Sequence, residues 1–171
     1  MADLVFLREP TADDVPLLDE WNRSLEFRGE FNDFGLPAKS AAEQMEKGFI
    51  GETNGTLLIC EATTGTPVGS IDWRPSIYGP PPESMAFQFG ISLAPEARGK
   101  GYGPEALRKA ADYLFEHTPA NRVEGSCDVE NLPSARMMEK AGFRYEGTIR
   151  KCQWRRGAYH DLMYFGLLRG E

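Results

Sequence analysis

"APEARGKGYGPEALRKAADYLF", residues 94 to 115, sets three glycines, two cations and an aromatic residue directly before a helical pattern. Leu107, Ala110, Ala111, Leu114 and Phe115 recur at i, i+3, i+4, i+7 and i+8, which is one apolar stripe of an amphipathic helix. Pro104 suits the first helical position, where its missing N–H costs nothing and its φ is already helical. Upstream, Phe87, Phe89, Ile91 and Leu93 alternate with Gln88, Gly90 and Ser92, the period of a half-buried strand. The chain therefore runs strand, glycine loop, helix. A helix start leaves several N–H groups unpaired at the positive end of the macrodipole. Gly99, Gly101 and Gly103 remove side chains that would keep a ligand from those donors. Arg98 and Lys100 add charge. The segment Arg98-Gly99-Lys100-Gly101-Tyr102-Gly103-Pro104 reads as an anion site, with phosphate as the commonest occupant.

The pattern narrows the phosphate ligand. A P-loop needs Ser or Thr after its Gly-Lys, and Gly101 follows Lys100 here. Gly101, Gly103 and Ala106 fit G-x-G-x-x-A, the dinucleotide fingerprint. That fingerprint asks for further βαβ units and an acid at the end of the next strand; here the acid is Glu124, inside the strand. A plain solvated glycine turn is the remaining alternative.

Composition sets outer bounds. The chain of 171 residues is expected to form one domain, residues 1–171, with a sizeable core. No apolar run approaches the ~20 residues of a membrane span, and no basic-then-apolar leader opens the chain, so a cytoplasmic location with no membrane partner is expected. Cys60, Cys127 and Cys152 share no close spacing and, with two histidines, make no zinc cluster, so no metal is expected. Cys127, inside a predicted strand, reads as a small core residue. A net charge of −7 argues against nucleic acid and suits a cationic amine substrate in an acidic cleft.

Elsewhere the chain predicts a strand at 4–7, a helix carrying Val15, Leu18 and Trp21 after Thr11-x-x-Asp14, a loop over 28–37, and a second helix from Ser40 to about Lys47. A hairpin pairs 56–62 with 67–73 across "TTGT", and "YGPPPES" (78–84) is an exposed loop. After the strand 85–93 and its helix come a strand over 122–129 and a helix over 131–141, capped by Asn131 and ended by Gly142. Two long strands, 143–154 and 158–168, close the chain. Mixed this way, the elements give an α+β or mixed α/β sheet covered by helices.

Arg98-x-x-Gly101-x-Gly103 resembles the R/Q-x-x-G-x-G/A loop of the GNAT superfamily of N-acetyltransferases, which grips the pyrophosphate of acetyl-CoA. "NLPSARMMEKAGFRYEGTIR" (131–150) is similar to that family's N-x-x-S/A…K-x-G-F block and the strand after it. "GAYHDLMYFGLL" (157–168) and the opening "LVFLREPTADDVPLLDEW" resemble its RimJ/RimL branch. The resemblance spans nearly the whole chain. It implies a seven-stranded, mostly antiparallel mixed sheet with splayed central strands and about four flanking helices. It also implies that Ile91 and Leu93 pair with the pantetheine arm and that Asn131 binds it.

Acetyl transfer to an amine needs a proton acceptor for the amine, a donor for the developing oxyanion and an acid for the leaving thiolate. Many relatives place a tyrosine as the acid seven residues after the asparagine, and Met138 stands there. The branch instead places a serine three residues after it, which makes Ser134 the candidate catalytic residue; its alternative role is a helix cap. The position matching an assigned basic glutamate holds Gln153. Asp72, Asp128 and Asp161 remain as bases, directly or through water, and His160 reads as a hydrogen-bonded sheet residue. The resemblance thus implies an acetyl-CoA-dependent N-acetyltransferase acting on a peptide or protein α-amine or on a small amine such as an aminosugar or polyamine, as monomer or homodimer. A non-catalytic acyl-CoA-binding module and a dinucleotide-binding oxidoreductase are the competing classes.

Overall fold

The computed structural model describes residues 2–171. Its centre is a seven-stranded sheet in the order β1-β2-β3-β4-β5-β7-β6. The strands are β1 (Val5–Arg8), β2 (Gly55–Glu61), β3 (Pro67–Ile77), β4 (Met85–Leu93), β5 (Arg122–Asp128), β6 (Arg144–Arg155) and β7 (Ala158–Leu168). Every neighbouring pair is antiparallel except β4–β5, which is parallel and joined by the crossover helix α4 (Tyr102–His117). Helices α1 (Val15–Arg23), α2 (Leu25–Arg28), α3 (Ala41–Lys47) and α5 (Leu132–Lys140) complete the fold.

The periodicities find their faces. Leu107, Ala110, Ala111, Leu114 and Phe115 of α4 are all buried, in one core with Ile71, Trp73, Phe87, Phe89, Val123 and Phe165 of the sheet. Burying each large side chain is worth about 1.5–3 kcal/mol, which is why the stripe dictates where α4 lies. On the face of β4 opposite this core Gln88 is buried, its Nε2 donating to Ser126 Oγ at 3.1 Å.

Three local expectations change. Helix α4 begins at Tyr102, not Pro104, because Gly101 takes the left-handed φ of +86° as its N-cap; Pro104 sits third, still within the first turn whose N–H groups lack intrahelical acceptors. The first long helix breaks at Ser24, whose Oγ accepts from the Phe27 N–H at 3.1 Å to start α2. The stack of Trp21 on Phe27, centroids 4.4 Å apart, holds the corner, and the described residues form five α-helices. Strand β3 runs on to Ile77, pairing with β4 as far as Met85. Pro75 is tolerated there because β2 stops at Gly55 opposite Trp73, leaving β3 without a neighbour on that side.

The β4–β5 ladder is short. It spans only Phe87–Phe89 against Val123–Gly125, whereas β4 stays paired with β3 to Leu93 and β5 with β7 to Asp128. Beyond Phe89 and Gly125 the two central strands part. The gap opens toward the glycine loop and the start of α5.

Candidate active site

The loop ends in donors. Among the described residues, the backbone N–H groups of Gly99, Lys100 and Gly101 make no hydrogen bond, and they lead into the free N–H groups of the first turn of α4. Gly99 and Gly101 have φ of +76° and +86°, values that other L-residues adopt only under strain. A Cβ on Gly99 would point into open space, so that position is both reachable and glycine-dependent. Lys100 is exposed beside the same donors.

Three side chains of the segment do other work. Arg98 donates from Nε to the Leu93 carbonyl at 3.1 Å and from Nη2 to the Glu26 and Phe27 carbonyls at 2.6 and 3.2 Å. Its fork ties α2 to the end of β4 instead of facing the loop's free donors. Tyr102 turns its hydroxyl to Glu61 of β2; the bond raises the phenol and lowers the carboxylate. Gly103 is glycine for packing: a Cβ there would lie 2.8 Å from Met137 Sδ. Pro104 lines an open cleft of about 550 Å³ that runs from Gly101 past Arg108 to Lys140 and Gly142. The two cations of that cleft carry no signal in the loop motif; only the fold brings α5 beside α4.

The gap between β4 and β5 carries the second half of the site. Ile91 and Leu93 lie on β4 past its last pairing with β5. Asn131 is the N-cap of α5, its Oδ1 accepting from the Ser134 N–H at 3.3 Å, which leaves its amide NH2 unused. Ser134 is the third residue of α5 and not its cap, so the capping role falls to Asn131 alone. The Ser134 side chain stands at the Cys127 thiol of β5. Burial pushes that thiol up to about 11, outweighing the Ser134 hydrogen bond, so Cys127 is a poor nucleophile. Met138, at the position where the resemblance places a tyrosine, is buried and packs on Gly125, where a Cβ would lie 2.7 Å from its sulfur.

The three base candidates separate. Asp128 is buried; its Oδ2 accepts from Arg155 Nη2 at 2.7 Å and its Oδ1 from the Glu130 N–H at 2.8 Å. Burial alone would raise this carboxyl, but the Glu130 N–H and the Arg155 guanidinium outweigh it and hold it below its usual range. A carboxylate so held does not collect protons, which removes Asp128 as a base. Asp161 is spent on the β6 bulge, its Oδ1 accepting from the Lys151 N–H at 2.9 Å. His160 bonds to Arg155 through both ring nitrogens, at 3.2 Å each, and Gln153 Oε1 accepts from Arg155 at 3.0 Å. Asp72 differs. Burial pushes its carboxyl up, against the pull of Lys39 and Arg74, and its only hydrogen bond comes from its own backbone. It faces Gly90, the first residue of β4 past the ladder, where a Cβ would collide with its carboxylate.

Glu124 is removed as the acid of a dinucleotide site. It is buried in β5, accepting from Tyr78 Oη at 2.7 Å and Arg122 Nε at 3.0 Å, with Arg122 also paired to Glu146. Among the described residues no three His, Cys, Asp or Glu side chains gather as a metal site, and no helix is long and apolar enough to cross a membrane.

Comparison with known proteins agrees with this geometry. Residues 5–144 match the model of the acetyltransferase (GNAT) domain. The uncharacterized N-acetyltransferase YnaD of Bacillus subtilis (strain 168) is 33% identical over 85 residues, 50% of this chain and 50% of that protein. The spermidine N(1)-acetyltransferase of Vibrio cholerae is 29% identical over 84 residues, 49% of each chain. The chain thus spans about half the length of the curated relatives it matches. A solved structure of spermidine N-acetyltransferase from Vibrio cholerae, in complex with CoA and spermine, superposes with a TM-score of 0.78 over 97% of this chain and 96% of that one, at 20% identity. With a family model covering most of its length and the family's sheet, gap and loop in place, the chain belongs to the GNAT family of acetyltransferases.

Proposed function

We propose that the protein is an acetyl-CoA-dependent N-acetyltransferase whose acceptor is a primary amine entering from the Asp72 face of the sheet. The observation that carries this reading is the gap between β4 and β5, with a raised, unpartnered carboxylate on one side and Ser134 on the other. A binding module without chemistry has no use for a carboxylate kept out of every ion pair beside the opening.

Each group has a place. The free N–H groups from Gly99 to the first turn of α4, with Lys100, hold the pyrophosphate, and Arg108 and Lys140 take the nucleotide end in the adjoining cleft. The backbone at Ile91 and Leu93 and the amide NH2 of Asn131 hold the pantetheine arm in the gap. Asp72 accepts a proton from the arriving ammonium, whose pKa near ~10 keeps it charged otherwise, and passes it to solvent. The nitrogen lone pair then forms the C–N bond as the C–S electron pair leaves with sulfur. Ser134 hands a proton to that thiolate, and the second proton lost from nitrogen replaces it, so one proton reaches solvent per turnover.

The RimJ/RimL-like branch is the finer reading. It rests on Ser134 within the Asn131 block and on the Tyr159-His160-Asp161 strand, and it points to an α-amine, of a peptide, protein or small molecule. The test has two steps. Acetyl-CoA is expected to raise the melting temperature, by an amount corresponding to ~2.7 kcal/mol at a hundred times its Kd. Thiol release in the presence of an amine panel then reports chemistry. A melting shift without thiol release from any amine overturns the enzyme reading in favour of a binding module.

A further inference from the structure

On the face of the sheet away from α4, most ionic side chains are already engaged: Glu124 by Arg122 and Tyr78, Asp128 by Arg155. Asp72 and Arg74 stand out from this. They are alternate residues of β3 and therefore share a face, their backbone positions about 7 Å apart along the strand. Arg74 is exposed, and the structure gives it one partner: its Nη2 donates to Gln88 Oε1 at 2.5 Å. Gln88 is itself anchored, its Nε2 donating to Ser126 Oγ at 3.1 Å. The chain Arg74–Gln88–Ser126 crosses from β3 over β4 to β5 at the end of the short parallel ladder. An exposed arginine ordinarily samples many rotamers; this one is braced by the buried amide of Gln88. Lys39, on the loop before α3, adds a second positive charge close enough to act on Asp72.

A carboxylate with a braced cation two residues further along the strand is complementary to a zwitterion. Resting on the reading of the protein as an N-acetyltransferase, we propose that its acceptor is a free α-amino acid, with the α-amine at Asp72 and the α-carboxylate on Arg74. The guanidinium binds a carboxylate through two parallel N–H donors, and the single bond to Gln88 leaves such a pair. A polyamine would bring a second cation toward Arg74 and Lys39, where like charges repel. A peptide or an amino-acid amide would leave the Arg74 charge unmatched. The chemistry is that of the reaction above: the amine loses two protons and gains the acetyl carbon, sulfur leaves with the C–S pair and takes up one proton, and the α-carboxylate on Arg74 is unchanged throughout.

The experiment is thiol release from acetyl-CoA with a panel of free L-α-amino acids, the primary amide of each, a dipeptide and spermidine. Free acids are expected to exceed their amides by about tenfold or more in kcat/KM, the scale of a hydrogen-bonded charge pair. Arg74→Gln is expected to erase the difference between acid and amide, chiefly through KM for the acids, and Arg74→Lys to restore part of it. The acid-to-amide comparison on the wild-type protein stands even if a variant folds poorly. Thiol release that treats acids and amides alike, or that favours spermidine or the dipeptide, overturns the α-amino-acid assignment and leaves acetyl transfer standing. No thiol release from any amine, with acetyl-CoA still raising the melting temperature, overturns both.

Discussion

The carboxylate of Asp72 lies against the backbone of Gly90, at the first residue of β4 that has lost β5 as its neighbour. Any side chain larger than hydrogen at Gly90 would collide with it. In the proposed reaction this pairing puts the proton acceptor beside the opening that the acetyl group enters, and burial keeps that acceptor's affinity for protons high.

A half-buried carboxylate whose pKa is raised costs stability when charged. The folded state holds its proton more tightly than the unfolded chain, so stability falls as pH rises from the ordinary carboxylate range, about 3.9, through the raised folded value. Asp72→Asn is therefore expected to melt higher than wild type at neutral pH, while kcat falls by about 10²–10⁴-fold. A carboxylate that served structure would show the opposite change in melting. The charges facing Asp72 are Lys39 and Arg74, and both pull its pKa down, so Arg74→Gln is expected to move the acidic limb of the pH–rate profile upward.

Asp128 gives the reverse pH behaviour. Its pKa is depressed in the folded protein, so its contribution to stability is present above the unfolded value and is lost as pH falls through the folded one. Arg155→Met takes the guanidinium from the buried Asp128 and leaves it the Glu130 N–H and the His160 ring 3.3 Å away, at a cost of up to about 3–5 kcal/mol. Thermal melts between pH 7 and the acid range check both statements; a variant as stable as wild type at pH 7 would refute them.

The glycines divide by role. Gly99→Ala places a methyl group in open space at φ +76°, so it is expected to weaken acetyl-CoA binding with backbone strain of about 1–2 kcal/mol. Gly103→Val instead drives carbon into Met137 and is expected to cost about 1–3 kcal/mol of folding stability before ligand enters the matter. Melting with and without acetyl-CoA separates the two. Arg98→Ala belongs with Gly103: it releases the carbonyls of Leu93, Glu26 and Phe27, and a drop in melting temperature is expected without ligand.

Ser134 and Asn131 are separable in the same way. Asn131→Ala removes the cap of α5 and is expected to cost about 1 kcal/mol. Ser134→Ala removes no cap and is expected to lower kcat with little change in melting. Equal turnover in Ser134→Ala would leave the thiolate without an acid from this helix.

How far the residues alone carry is visible in these same positions. The stripe of α4, the cap of α5 and the strand–loop–helix order are local patterns, and the fold follows them closely. The break at Ser24 was hidden because the Trp21–Phe27 stack that holds it depends on packing, not on spacing. The bonds of Arg98 carry no signal in the loop motif because their acceptors sit on α2, some seventy residues away in sequence. Among three aspartates of similar local setting, only the sheet register showed that two were already engaged. Gln88 looked like the polar half of an alternating strand, and its bond to Arg74 depends on the β3–β4 pairing.

The central claim is that an amine meets the acetyl group in the gap between Asp72 and Ser134. The most direct measurement is the pH dependence of amine-stimulated thiol release by wild type and Asp72→Asn, at saturating acetyl-CoA. The account predicts that wild-type kcat/KM rises through a pKa above the ordinary carboxylate range and that the variant loses both rate and that limb, while its melting shift with acetyl-CoA is retained. A variant that releases thiol at the wild-type rate with the same pH profile would contradict it.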